Sequence, residues 1–104
     1  GVSPKIIDIR WINPVPHKAI LREARNAKRI IVVDECRVSG SVSEAIITHL
    51  AEHLTPLPQL RRIAAQDCFI PLGDAATITL PSKDEIVAVA TQMLKGQSLA
   101  AVRA

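Results

Sequence analysis

Apolar positions along the chain fall into short β-branched runs separated by sets spaced three and four residues apart. Ile6-Ile7-Asp8-Ile9 and Ile30-Ile31-Val32-Val33 have the composition of strands in a sheet covered on both faces, and Arg61-Arg62-Ile63-Ala64 is a weaker third candidate. Between the first two, His17 to Ala27 places Ile20, Ala24 and Ala27 on one helical face after Pro14 and Pro16. The order is strand, helix, strand.

Two further helices carry start signals. Ser41-Val42-Ser43-Glu44 has capping-box spacing, with Ser41 accepting from an early amide and Glu44 reaching back to the cap; Val42, Ile46, Leu50 and Leu54 form the core face. Pro56 and Pro58 then break the chain before the third strand. Ser82-Lys83-Asp84-Glu85 repeats the device ahead of Ile86, Val89, Ala90 and Met93, and Gly96 is the expected stop.

Alternating strands and helices imply a three-layer α/β/α fold around a small, mostly parallel sheet. A single domain is expected over residues 1–96, with a flexible tail at 97–104. Three strands are few for this arrangement, so the domain reads as part of something larger or as one that leans on a partner.

Composition narrows the function classes. With 104 residues, 48% apolar and 22% charged, the chain suits one globular domain and excludes disorder and fibrous repeats. No apolar run approaches the ~20 residues that span a bilayer, and no signal peptide opens the chain, so a cytoplasmic protein without a membrane partner is expected. Cys36 and Cys68 lack CxxC spacing and read as free, buried thiols. A net charge of +3 with only Trp11 and Phe69 as aromatics gives nucleic acid no stacking platform.

Several residues are candidates for chemistry. His49 and His53 stand four apart on one helix, a metal-ligand spacing, but no third ligand is evident and both lie near the apolar stripe, which favours packing at an interface or a helix end. His17, beside Pro16, reads as a helix-terminus residue. Asp34-Glu35-Cys36-Arg37 ends the second strand at its carboxyl end, where open parallel sheets assemble ligand sites, yet nothing brings a base to Cys36. Ser39-Gly40-Ser41 opens the next helix as a turn and N-cap; it lacks the glycine and lysine pattern of a phosphate loop. Lys18, Arg22, Arg25 and Arg29 give the first helix a basic stripe, either a solvated face or a dock for an acidic protein surface.

These residues also carry a resemblance. Ile7-Asp8-Ile9-Arg10-Trp11-Ile12-Asn13-Pro14 resembles the strand and turn D-L-R-T-L-x-P in the C-terminal domain of transketolase-like proteins, especially the beta subunit of 2-oxo acid dehydrogenases. Arg29-Ile30-Ile31-Val32-Val33-Asp34-Glu35 is similar to the R-x-L-V-V-x-E strand of that family, and Ser39-Gly40-Ser41-Val42-Ser43-Glu44 to its T-G-G-x-x-x-E helix start. Asp67-Cys68-Phe69-Ile70-Pro71-Leu72 resembles D-x-P-I-P, and Pro81 to Leu94 the closing helix. The likeness is collinear over residues 5 to 95. His17 stands where the family often has Asp, and Ser41 replaces the second glycine.

The resemblance implies an oxidoreductase that uses thiamine diphosphate and magnesium, held between two other domains, to decarboxylate a 2-oxo acid and pass the acyl group to lipoamide. It implies that this domain supplies no catalytic, cofactor-binding or metal residue. It implies further that the family's first strand and helix are missing ahead of residue 5. The domain's expected task is architectural: subunit interface, homo-oligomer, and one wall of the active-site entrance. Glu35, Arg37, Ser39, Gly40, His49 and His53 are candidates for the entrance or interface. Lys18, Arg22, Arg25 and Arg29 are the candidate dock for an acyltransferase core, a reading opposed by the basic character of the family's docking modules. An independent α/β protein-binding module is the alternative, and the isolated chain is expected not to be an enzyme.

Overall fold

The computed structural model describes residues 2–96; the tail expected at 97–104 lies outside the described residues. Helix α1 spans His17–Ala24, strand β1 Arg29–Arg37, helix α2 Val42–His53 and strand β2 Gln59–Ala65. A short 3-10 turn at Gly73–Ala75 leads into the one-turn helix α3, Ala76–Thr79, and α4 spans Lys83–Leu94.

β1 and β2 pair in parallel from Arg29 opposite Gln59 to Asp34 opposite Ala64. The α2 crossover joins them, as parallel neighbours require. Among the described residues the sheet has these two strands, where the sequence suggested three. The difference lies in Ile6 to Ile9, which is not a strand. A β-branched run becomes one only when a neighbouring edge takes its amides and carbonyls, and no described strand lies beside it. The segment instead passes along α1, where Lys5 pairs with Glu23 and half-buried Ile9 packs on the core; Ile6 is 86% exposed.

The core follows from two periodicities. Ile20 and Ala24 of α1 meet Ile46, Leu50 and Leu54 at α2, and Ile30, Val32 and Leu60 reach the same cluster from the sheet. Side chains alternate along a strand, so Ile63 and Ala65 turn to the opposite face. Both are buried, and α4 packs against β2 there, with Met93 1% exposed. The helices thus cover both faces, giving the α/β layering the alternation of elements implied.

Helix α1 stops at Ala24, short of the expected Ala27, because the Ala27 amide turns back to the Ala24 carbonyl at 3.0 Å and closes a tighter turn. Arg29 therefore belongs to β1, not to the helical basic stripe. α4 matches its start signal: the Ser82 hydroxyl accepts from the Glu85 amide, and Gly96, at φ +66°, takes the left-handed conformation that ends helices.

Candidate functional site

The carboxyl ends of β1 and β2 converge on one loop. β1 bulges at Glu35 and Cys36, since Arg37 rather than Glu35 pairs with the residue after Ala64. Asp34 sets the bulge. Its Oδ1 accepts from the Cys36 amide at 2.9 Å, and its Oδ2 accepts from the Ser43 amide at 2.9 Å.

The second of these bonds corrects the capping box expected at Ser41. Ser41 is the N-cap of α2 by position, but its hydroxyl bonds the Ser43 hydroxyl at 2.7 Å, and no side-chain cap bond comes from it. The cap is supplied from the strand end by Asp34. A charged acceptor forms the stronger bond and also sits at the positive end of the helix dipole. Glu44 reaches back one residue further than expected, accepting from the Gly40 amide at 2.6 Å.

A third carboxylate braces the far side. Asp67, just beyond β2, accepts from the Ser39 amide at 2.9 Å and the Ser39 hydroxyl at 2.6 Å. Arg37 Nε donates to the Ser39 carbonyl at 3.1 Å, and Gly40 adopts φ +67°, which favours glycine. Loop 35–41 is thereby fixed by Asp34, Glu44 and Asp67 while Glu35, Cys36 and Arg37 face outward, exposed.

The electrostatics agree with this geometry. Partial burial opposes ionisation of Asp34 and is the largest single influence, but the Cys36 and Ser43 amides and the Ser43 and Ser41 hydroxyls together outweigh it and hold the carboxyl below its usual range. Asp67 is also lowered, chiefly by the Ser39 hydroxyl and then the Ser39 amide.

The arrangement also decides what the loop cannot hold. The amides of Ser39, Gly40 and Ser43, which an anion would need, are already taken by the protein's own carboxylates. Three carboxylates at one rim repel a diphosphate. Among the described residues, no group of three or more His, Cys, Asp or Glu is arranged around a metal position. The rim thus leaves a diphosphate none of these amide donors.

His17 and His49 line a neighbouring groove of about 540 Å³ together with Gly40, Ser41, Glu44 and Glu52 among others. His49 stands between His17 and His53, with ring centroids 4.2 Å apart on each side. The ring of His53 lies 2.9 Å from the His49 carbonyl in the last turn of α2. His17 was legible only as a terminus residue; its place against His49 depends on how α1 crosses α2.

The basic stripe is divided. Lys18 is exposed, Arg22 pairs with Glu23 at 3.2 Å, Arg25 caps α1, and Arg29 donates to the Met93 carbonyl at 2.8 Å, tying β1 to α4. Cys36 and Cys68 are free, as expected, but exposed rather than buried: Cys36 sits in the bulge at the carboxyl end of β1, outside the regular pairing, and Cys68 follows β2. Apolar side chains also reach solvent, with Trp11 73%, Phe69 fully and Leu72 96% exposed. Among the described residues no helix is long and apolar enough to cross a membrane.

Comparison with known proteins places the chain in a family. The family model of the transketolase C-terminal domain matches residues 1–86. The pyruvate dehydrogenase E1 component subunit beta of Staphylococcus aureus is 29% identical over 97 residues, covering 91% of this chain and 30% of the relative. Its counterpart in Staphylococcus epidermidis is 28% identical over 97 residues with the same coverage. The chain thus spans 30% of the length of these relatives.

Proposed function

Since the chain belongs to the transketolase C-terminal domain family, we propose that it serves as the structural C-terminal part of a thiamine-diphosphate-dependent 2-oxo acid dehydrogenase. The parent protein would carry out oxidative decarboxylation with acyl transfer to lipoamide, in the cytoplasm and as part of an oligomer. This domain contributes subunit interface and active-site entrance. Thiamine diphosphate and its magnesium are held elsewhere in that protein, since the carboxylate-braced rim offers the diphosphate no free amide.

The observation that carries this reading is the loop itself. A loop fixed on both sides by Asp34, Glu44 and Asp67 presents Glu35 and Arg37 in a set geometry without consuming them in the domain's own core. Such a rim suits contact with a neighbouring domain. The exposed apolar side chains of Trp11, Phe69 and Leu72 are available to an assembly contact. Acyltransferase docking on the basic residues finds less support, with Arg29 tied to the Met93 carbonyl of α4 and Arg22, though 76% exposed, paired with Glu23.

Glu35→Ala in the full enzyme separates this role from a structural one. Glu35 is exposed, so the domain's stability should change by less than about 0.5 kcal/mol. Turnover or subunit assembly should fall, through a partner charge left unpaired at the contact. Melting temperature is read beside steady-state rates and sedimentation. Unchanged kinetics with normal assembly would remove the loop from the functional surface.

A further inference from the structure

The three histidines form a continuous stack across the contact between α1 and α2. His17 is the first residue of α1; His49 and His53 lie one turn apart on α2. The rings meet at centroid distances of 4.2 Å, tilted by 48° and 37°. Nδ1 of His17 and Nε2 of His49 are buried without a hydrogen-bond partner among the described residues. A proton on Nε2 of His49 would enter a site with no acceptor among the described residues, beside another imidazole.

The charged and titratable groups that act on His49 are His53, His17 and Glu52. α1 contributes His17 itself. α2 contributes His53, Glu44 and Glu52, and the loop before α2 brings only Gly40 and Ser41 to the groove. Glu44 is already engaged by the Gly40 amide, which leaves Glu52 as the carboxylate that favours a protonated ring.

We propose that the packing of His49 against His17 and His53 forms a proton-sensitive clasp between α1 and α2, closed when the His49 ring is neutral and loosened in mildly acidic solution. Burial, then His53 and His17, lower the basicity of His49 more than Glu52 raises it. The sign follows. With its folded pKa below the unfolded value of about 6.5, His49 contributes stability that is fully present above that value and is lost as pH falls through it toward the folded pKa. Opening the clasp releases α1, whose Ile20 and Ala24 close one side of the core. The inference is independent of which enzyme carries the chain.

The test combines ring titration by NMR with stability measured against pH. The His49 ring should titrate below an ordinary histidine, and α1 amides should lose exchange protection between about pH 7 and 5. His49→Gln should remove about one proton from the uptake that accompanies unfolding and should abolish the acid loss of α1 protection. A His49 ring that titrates at or above the ordinary value overturns the proposal, and so does an unchanged proton uptake in the variant. Should His49→Gln fail to fold, titration and exchange in the unaltered chain decide alone: α1 protection that does not change as the His49 ring protonates rejects the clasp.

Discussion

Leu50→Ala should cost about 2–5 kcal/mol, enough to leave the domain marginally folded or unfolded. Leu50 is 1% exposed and lies on α2 between Ile46 and Leu54, where helix α1 and the sheet both close on it. Truncation removes the transfer energy of the side chain and opens a cavity, because α2 is held at its start by Asp34 and cannot collapse freely into the gap. Urea denaturation of the variant beside Val33→Ala, whose site is 45% exposed, provides the internal comparison. A loss below about 1 kcal/mol for Leu50→Ala would contradict the assignment of this cluster as the main core.

Asp34→Ala should be the largest polar effect, about 1–3 kcal/mol, because the Ser43 amide loses its acceptor where Ser43 is 1% exposed. Loss of the Cys36 bond matters less, since water reaches that exposed residue. Asp34→Asn keeps an acceptor without the charge and should fall between the two. The pH dependence has a definite sign. Asp34 is held below its unfolded value of 3.8, so its ionised form contributes stability above that pH, and the contribution disappears as pH falls through the folded pKa. The stability gap between the parent chain and Asp34→Asn should therefore close in acid. A gap constant from pH 7 to 3 would mean that charge plays no part in the cap.

Much of the layered fold was legible, for reasons visible in particular residues. Ile30 to Val33, the spacing of Val42, Ile46, Leu50 and Leu54, and the Ser82 cap each encode their structure locally, and each forms where expected. Ile6 to Ile9 carries as strong a strand signal as Ile30 to Val33 and does not form one, because strand formation depends on a neighbour that local sequence does not specify. The Ser41 cap fails for a related reason. A local hydroxyl was outcompeted by Asp34, a charged acceptor nine residues away that only the tertiary fold delivers.

At the candidate site, the position of the loop could be read from the rule that parallel sheets place their sites at strand carboxyl ends. Its bracing could not. The Ser39 to Asp67 contact spans 28 residues, and the meeting of His17 with His49 depends on helix crossing rather than spacing. The signals available were Asp67, in the segment resembling D-x-P-I-P, and the single glycine at position 40, which suits a loop held by acceptors more than one wrapped on a phosphate.

If the domain serves assembly, as proposed, the chain by itself should not bind the cofactor. Titration calorimetry of the folded chain with thiamine diphosphate and magnesium addresses it directly. The carboxylate-braced rim predicts no saturable heat, since Asp34, Glu44 and Asp67 occupy the amides and oppose the diphosphate charge. Saturable binding with a dissociation constant on the order of micromolar, about −8 kcal/mol, would contradict it.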